Sequence, residues 1–593
     1  MDNSTASRQR RWARSWRAWV STAALAVLAA CGGGGGDEAG GGTATPQGVP
    51  DKPATADDAR RFLAQATFGP TQADIDRVMS IGYRAWIDEQ FARPQTGHLA
   101  YWNTEDAAIK AGNASASAGQ REVLDSFYRQ AITGSDQLRG RVAYALSQIF
   151  VISMQDSGVA DKPQGVAGYL DLLGTHAFGN YRDLLEGVSR HPMMGTYLSH
   201  LKNQKEDVAR GRVPDENFAR EVMQLFSIGL KELNVDGSLK MVNGQAADTY
   251  THDDIAGLAK VFTGWSWDGP DTADGRFWGW GSYQSPDRFW RPMQGYSQFH
   301  SVSEKRFLGQ TVPAQSKADP AASMKAAMDT LAAHPNVGPF IGRQLIQRLV
   351  TSHPSPAYVQ RVAAAFNNNG SGVRGDMKAV IRAVLLDPEA RSAGGADAGK
   401  LREPVLRLTS LLRAFEATSD SGKYLIGTTD DPGTQLGQSP LRSPSVFNFY
   451  RPGYVPPGTE AGAKGLTVPE MQITHETTVA GYANYLRSGI QSGFGQNGVD
   501  WKAARRDVQL KLDAELALAD KPTELVERVV GKLIGPTAPA ALKTDIEQAV
   551  ASITIPALRA DGSNQSSVDG AKRNRVWTAI LLAAVSPEFI VQK

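Results

Sequence analysis

The chain has 593 residues, of which 63 are Lys or Arg, 61 are Asp or Glu and 41% are hydrophobic. Its formal net charge of +2 lacks the basic excess typical of nucleic-acid-binding proteins, so we expect no nucleic-acid partner. The single cysteine, Cys31, excludes an internal disulfide and a thiolate metal cluster.

Residues 1–30 have the pattern of an export signal. Arginines between positions 8 and 17 precede an apolar run over 18–30, which is too short to span a bilayer but suits a signal peptide. Small residues stand directly before Cys31, as in bacterial lipoprotein signals. We therefore expect cleavage there and lipidation of Cys31, with a chance cysteine in an ordinary signal peptide as the alternative. The pair Arg10-Arg11 leaves twin-arginine export open.

Residues 31–56 are glycine-rich, which predicts a flexible tether between the lipid and a body over 57–593. Gly32, rather than Asp, follows Cys31. By analogy with bacterial sorting, this favours a cell-envelope position at the outer membrane. No later apolar run is long enough to span a membrane.

The body has apolar residues at helical spacing and few period-two segments, which predicts a mainly α fold. Thr71 and Thr251 each begin a capping box, and Gly229 is placed to end a helix. Long loops rich in Gly, Pro or aromatic residues are expected over 265–310 and 422–464. Helices are predicted over 57–66, 120–132, 138–151, 217–228, 251–263, 320–333, 337–349, 356–367, 375–386, 400–417, 469–486, 502–519, 522–533 and 573–585.

A series of short motifs follows in a fixed order along the body. They are residues 217–229; Tyr250-Thr251 with Asp254; Thr263-Gly264-Trp265; Phe299-His300 with Lys305 and Leu308-Gly309; His334-Pro335, Phe340-Ile341 and Leu345; Gly375-Asp376; residues 386–389; and residues 443–454. The series resembles the bacterial DUF1800 family, a domain of unknown function, over residues 59–590. The resemblance implies an exported, mostly helical protein without an established activity. It also implies a frequent genomic neighbour, the DUF1501 family, which resembles alkaline phosphatases and sulfatases.

This chain departs from the family at two places. The family often has His at the position of Phe226, and His-Asp at the positions of His300 and Ser301. If those positions form a metal or acid–base site, the chain has lost two polar members of it. The departures favour binding over catalysis.

The motif over 217–229 supplies the first candidate site. Asn217 lies three residues before Arg220 and four before Glu221, so helical spacing places it beside both side chains. A buried carboxylate beside a guanidinium is suited to act as a positioned base or to hold an anion. The alternative is a structural ion pair that locks two helices.

Asp254, His300 and Lys305 are the other polar candidates. With Glu221 they would form an acid–base cluster in which Glu221, Asp254 and His300 are catalytic and Lys305 holds an anion. The alternative for Asp254 is a helix cap, since it stands three residues after Thr251. His252-Asp253 resembles the metal-dependent HD phosphohydrolases, but no helical spacing joins the required further ligands.

Five of the twelve tryptophans lie between positions 265 and 290. Trp278 and Trp280, with nearby Asp and Arg, are suited to stacking on the rings of a glycan. The alternative is that the aromatic side chains fix a long loop to the helical body.

No zincin, Walker, dinucleotide or Gly-x-Ser-x-Gly motif occurs in the chain, and we expect no cofactor. A bound calcium ion near 234–236 or 268–274 is the open alternative, although neither stretch has the full loop signature.

The sequence thus predicts a lipid-anchored envelope protein that binds a ligand or works as partner of an exported hydrolase such as a DUF1501 protein. The alternative is a hydrolase of a polysaccharide or phosphoester.

Replacing Cys31 tests the anchor. We expect Cys31→Ala to leave the protein unprocessed or to move it from the membrane to the soluble fraction, because the acceptor thiol is gone. Fractionation and the mass of the N-terminal peptide measure this, with Ser21→Ala as the matched control. A Cys31→Ala protein that still fractionates with membranes would contradict lipid anchoring.

Overall fold

The structure, a computed structural model, describes residues 50–395, 397–497 and 505–593. The predicted signal segment, Cys31 and the predicted tether before Pro50 lie outside these ranges. None of the described helices is both long and apolar enough to cross a membrane.

The prediction of a mainly α fold is confirmed: the described residues contain 26 α-helices and 11 strands of two to four residues. The α-helices are α1 Ala56–Ala66, α2 Gln72–Ile81, α3 Tyr83–Ala92, α4 His98–Gly112, α5 Gln120–Thr133, α6 Gln137–Ser147, α7 Ser157–Ala160, α8 Pro163–His176, α9 Tyr181–Arg190, α10 Pro192–Tyr197, α11 Asn217–Gln224, α12 His252–Ala259, α13 Asp274–Trp278, α14 Pro320–Ala333, α15 Val337–Leu349, α16 Pro356–Asn367, α17 Met377–Leu385, α18 Pro388–Arg391, α19 Pro404–Ala414, α20 Glu460–Ala463, α21 Glu476–Ser492, α22 Asp513–Leu516, α23 Pro522–Leu533, α24 Ala540–Ala551, α25 Gln565–Ala584 and α26 Pro587–Ile590. Short 3₁₀ helices cover Val208–Arg210, Lys260–Phe262, Gly281–Tyr283, Ser297–Phe299 and Pro469–Ile473.

The strands form small antiparallel sheets that connect loops to the helical body. They are β1 Met241–Val242, β2 Gln245–Ala246, β3 Trp265–Ser266, β4 Gln294–Gly295, β5 Lys305–Phe307, β6 Gln310–Val312, β7 Lys400–Leu401, β8 Thr418–Ser419, β9 Phe494–Asn497, β10 Arg506–Gln509 and β11 Val591–Gln592. The pairs are β1–β2, β3–β4, β5–β6 and β7–β11, and β10 lies between β8 and β9.

The predicted helix over 502–519 is wrong for its described part. Residues 506–509 form strand β10, and only α22 is helical there. The reason is the carboxylate of Asp507, which accepts hydrogen bonds from Ser419 Oγ at 2.7 Å and from the backbone N–H groups of Ser421 and Leu425 at 2.8 and 3.0 Å. These partners are more than 80 residues away, and they hold the segment extended.

Two hydrophobic cores support the body. The first is built mainly from residues between Ala59 and Ala390. The helices that carry Glu221 and Asp254 contribute buried side chains to it. The second joins α5 and α19 to α21 and to α23–α26. The described residues from Pro50 to Lys593 lie in one compact unit. This unit, called the body below, contains both cores of the described residues.

Helix α12 packs directly on the backbone of β5, and this contact places Asp254 beside Leu308, in the turn that follows β5. Gly257 makes it possible, since a Cβ atom there would lie 1.7 Å from the carbonyl oxygen of Arg306. Gly531 in α23 has no atom within 4 Å of its Cβ position.

The two helical glycines should therefore respond oppositely to alanine. We expect Gly257→Ala to destabilise the body by about 1–3 kcal/mol through overpacking, and Gly531→Ala to stabilise it by about 0.5–1 kcal/mol through its higher helix propensity. Thermal unfolding of the two variants measures the difference. Equal melting temperatures for both would contradict the α12–β5 contact.

Candidate functional site

His300 is sealed inside the body. Its side chain is fully buried, Nδ1 donates to the carbonyl oxygen of Thr263 at 2.7 Å, and Nε2 lies 3.0 Å from Ser323 Oγ. Burial lowers the pKa of His300 to about 4, so the ring is neutral near pH 7. The imidazole therefore fastens the end of the aromatic loop to α14 and offers no free nitrogen to a substrate.

Lys305 lies five residues after His300, and its side chain is also fully buried. Its ammonium donates to the carbonyl oxygens of Ser301 at 2.9 Å and Ser303 at 3.4 Å, and burial lowers its pKa. The carboxylate of Glu206 accepts from the hydroxyls of both serines. This network closes the turn over 301–305.

Asp254 has both oxygens occupied. Oδ2 accepts from the backbone N–H and hydroxyl of Thr251, each at 2.7 Å, and Oδ1 accepts from the N–H of Leu308 at 2.7 Å. Burial raises its pKa, but these hydrogen bonds outweigh burial and bring the pKa below the ordinary value. The geometry is that of a helix cap that also holds the β5–β6 turn.

Glu221 differs from these three residues. Its side chain is buried on α11, and Oε2 has no hydrogen-bond partner among the described residues. Burial raises the pKa of Glu221, and Arg220 only partly opposes the shift. Arg220 pairs instead with Glu216 at 3.4 Å, one turn earlier, and Asn217 Nδ2 donates to Ser199 Oγ at 3.4 Å.

The structure thus joins the members of the predicted cluster by no direct hydrogen bond, although the nearby Lys305 ammonium helps to lower the pKa of His300. Among the described residues, no hydrogen bond links any two of Glu221, Asp254, His300 and Lys305. Where the family often has histidine, Phe226 is fully buried and packs on Phe150 with ring centroids 5.4 Å apart.

Most of the aromatic loop is fixed to the body. Trp265 and Trp267 are buried, and Trp278 is half-buried with its ring edge-on to Phe277 at 5.0 Å. Trp280 is 61% exposed. Of the two tryptophans predicted to stack on a glycan, Trp280 alone presents most of its ring to solvent.

The two stretches considered for calcium use their carboxylates internally. Asp236 accepts from the backbone N–H and hydroxyl of Ser238, Asp271 pairs with Arg276, and Asp268 pairs with Arg291. Within the described ranges, no group of three His, Cys, Asp or Glu residues is placed to hold a metal ion.

An apolar cleft of about 520 Å³ opens elsewhere, between the end of α11, the face of α15 and the loop over 443–454. We call it the α11–α15 cleft. Its lining contains no Asp, Glu, His, Ser, Thr, Tyr or Cys among the described residues. It is lined by Gln148, Ile149, Gln224, Leu225, Gly229, Leu230, Lys231, Leu233, Phe340, Gln344, Arg348, Val446, Phe447, Arg451, Pro452 and Gly453.

Three motifs that carry the family resemblance meet at this cleft. Gly229, with φ +73°, ends the first motif and approaches so closely that a Cβ atom there would lie 2.8 Å from the ring of Phe340 in the second. Phe447, Arg451 and Pro452 come from the third. Residues more than 100 positions apart therefore build one surface.

Asn336 fixes the wall of the cleft that follows α11. Its amide nitrogen donates to the carbonyl oxygens of Ile228 at 2.9 Å and Lys231 at 2.8 Å, and its oxygen accepts from the N–H of Leu233 at 2.9 Å. On the opposite wall, Gln347 Nε2 donates to the carbonyl oxygen of Pro452 at 2.9 Å. Both amides are buried, so the walls are held by internal hydrogen bonds.

Sequence reasoning missed Leu230, Arg348 and Arg451 as site residues. It selected polar side chains at helical spacing, whereas the cleft is mainly apolar and is assembled from distant segments. The available signal was that Gly229, Phe340 and residues 443–454 all belong to the motifs that carry the family resemblance.

Glu221→Gln tests whether that carboxylate is buried and unpaired. Because the pKa of Glu221 is raised in the folded state, protonation of its carboxyl stabilises the fold. This stabilisation is fully present below the ordinary pKa of 4.5, and it is lost as pH rises through the raised pKa. We expect Glu221→Gln to be more stable than the parent at about pH 8, with the gain shrinking toward about pH 4.5. Glu460→Gln, at a side chain that is 84% exposed, is the control without such a trend. Thermal unfolding across pH measures this, and a loss of stability at every pH would contradict it.

The comparisons with known proteins agree with the motifs. No curated protein and no solved structure matches the chain. The family described as "Protein of unknown function (DUF1800)" matches residues 61–591, nearly the whole chain. The chain therefore belongs to the DUF1800 family.

Proposed function

We propose that this chain is an exported envelope protein, anchored in the outer membrane by lipid on Cys31, that binds an apolar ligand in the α11–α15 cleft. In this role it works as partner of an exported hydrolase, such as a DUF1501 protein, rather than as the catalyst. The export and anchor rest on the sequence pattern of residues 1–31.

One observation carries the binding role: the described lining of the cleft consists of apolar, basic and amide side chains, without a hydroxyl, thiol, imidazole or carboxylate. Apolar walls with a few polar groups are typical of small-molecule binding sites, and about 520 Å³ lies within their usual size. His300 and Asp254, the predicted acid–base groups, instead make hydrogen bonds within the protein.

The hydrolase alternative keeps one supporting observation, the unpartnered Oε2 of Glu221 with its raised pKa. A general acid needs such a shift. It also needs access, and the Glu221 side chain is 8% exposed. A Glu221→Gln protein that folds normally but loses a cellular function would favour this alternative.

Binding in the cleft is tested with Nile red, a neutral apolar dye, and the body. Leu230 lines the cleft and is 52% exposed, so Leu230→Asp places a charge on the apolar wall without disturbing a core. We expect wild type to bind one dye molecule and Leu230→Asp to weaken binding about tenfold or more.

Val208→Asp is the matched control, because Val208 is 92% exposed and lies outside the cleft. It should bind the dye as wild type does. Absence of dye binding, or equal loss in both variants, would contradict the cleft as the binding site.

A further inference from the structure

The cleft is apolar along its walls and positively charged at its mouth and floor. Lys231, Arg348 and Arg451 are its charged residues. Lys231 is neutralised by Asp248 at 2.6 Å. Arg451 forms no ion pair with a described residue, and its guanidinium carbon lies 4.4 Å from the ring centroid of Phe447.

Arg348 forms the floor and is 4% exposed. Its Nη1 and Nη2 donate to the carbonyl oxygens of Gln344 at 3.2 Å and Gln148 at 2.9 Å. Directly behind it, the fully buried Arg141 donates to the carbonyl oxygen of Arg348. Burial lowers the pKa of both guanidinium groups.

These two arginines keep unused donors. Arg348 Nε, Arg141 Nε and Arg141 Nη1 have no hydrogen-bond partner among the described residues, and neither group has a carboxylate within 4.0 Å there. Gln344 Nε2, on the cleft lining, is unpartnered as well. Donors that remain unpaired in a buried site raise the cost of the charge.

The nearby anions do not balance this charge. Glu470 pairs with Lys400, which leaves Glu403 as one carboxylate for two guanidinium groups. The interaction of an unbalanced charge with a bound anion is weakly screened by apolar surroundings. An anionic ligand in the cleft would therefore be attracted more strongly than by an exposed arginine.

We propose that the cleft selects an anionic amphiphile, with an apolar acyl or aromatic body on Leu225, Leu230 and Phe340 and an acidic head group near Arg348 and Arg451. This inference rests on the proposed function, because both use the same cleft. The head group is a carboxylate or a phosphate, since guanidinium donors suit both.

The test measures displacement of Nile red from the body by three twelve-carbon ligands below their micelle concentrations: dodecanoate, dodecyl phosphate and 1-dodecanol. We expect the better anion to displace the dye at about tenfold lower concentration than the alcohol, the size of a charge-assisted hydrogen bond. The rank of the two anions identifies the head group.

Arg451→Gln is the diagnostic variant, because Arg451 is exposed and its removal leaves the cores intact, whereas changes at Arg348 or Arg141 could unfold the body. It should reduce the preference for the anion over the alcohol about threefold or more, mainly by raising the anion concentration that displaces the dye. Arg306→Gln is the control, since its side chain is 75% exposed and lies outside the cleft. It should change neither.

Each other result has a definite meaning. Equal displacement by alcohol and anions, lost in Leu230→Asp, would overturn the anionic ligand and leave the binding function standing. An anion preference that survives Arg451→Gln in full would overturn the proposed head-group position and with it this inference. Failure of wild type to bind the dye or any ligand would overturn the binding function itself.

Discussion

The carboxylate of Glu403 accepts hydrogen bonds from four side chains that come from different parts of the chain. Tyr144 and Gln148 reach it from α6 and its end, and Gln438 and Tyr450 reach it from the long loop before α20, at 2.6 to 3.1 Å. Burial alone would raise the pKa of Glu403, but Lys400, Arg141 and these hydrogen bonds outweigh it and hold the pKa below its ordinary value. The group is therefore a buried anion around which the loop and the helix are fixed.

This anchor acts together with the hydrogen bonds of Asn336 and Gln347 to fix the position of the cleft. Tyr450 is held in the body, so its neighbours in the loop over 443–454 stand opposite the segment that follows α11. Gln148 brings its carbonyl oxygen to Arg348 and its amide to Glu403, which connects the cleft floor to the same anchor. Loss of the carboxylate would leave two buried guanidinium groups without a counter-charge, a costly state in a protein interior.

The polar networks of the protein have distinct roles. His300, Lys305 and Asp254 each make their hydrogen bonds within the body and hold the aromatic loop and the β5–β6 turn, although Oε2 of Glu206, beside Lys305, has no partner among the described residues. Beneath the cleft, Arg141 and Arg348 have unpaired donors and carry a net positive charge. Unpaired donors raise the cost of that buried charge, and an anion in the cleft would offset part of it.

Local sequence signals predicted the helices well and the site poorly. The bounds of α14, α16 and α23 follow from a proline at the first helical position and regular apolar spacing. Helical spacing favours Glu216, four residues before Arg220, over the adjacent Glu221 as the partner of Arg220, and the prediction overlooked this pair. Spacing within one helix could not bring Gly229, Phe340 and Phe447 together, since that contact depends on tertiary packing and on Glu403. Strand β10 was missed for the same reason, as its partners lie far away in sequence.

The central claim is that ligands enter the α11–α15 cleft and not the aromatic loop. Photo-crosslinking tests it most directly, with a dodecanoate that carries an aliphatic diazirine and mass spectrometry of the labelled peptides from the folded body. We expect label in residues 224–233 and 446–453, on the two walls of the cleft. Label confined to the aromatic loop around Trp280, with none in those two segments, would contradict the claim.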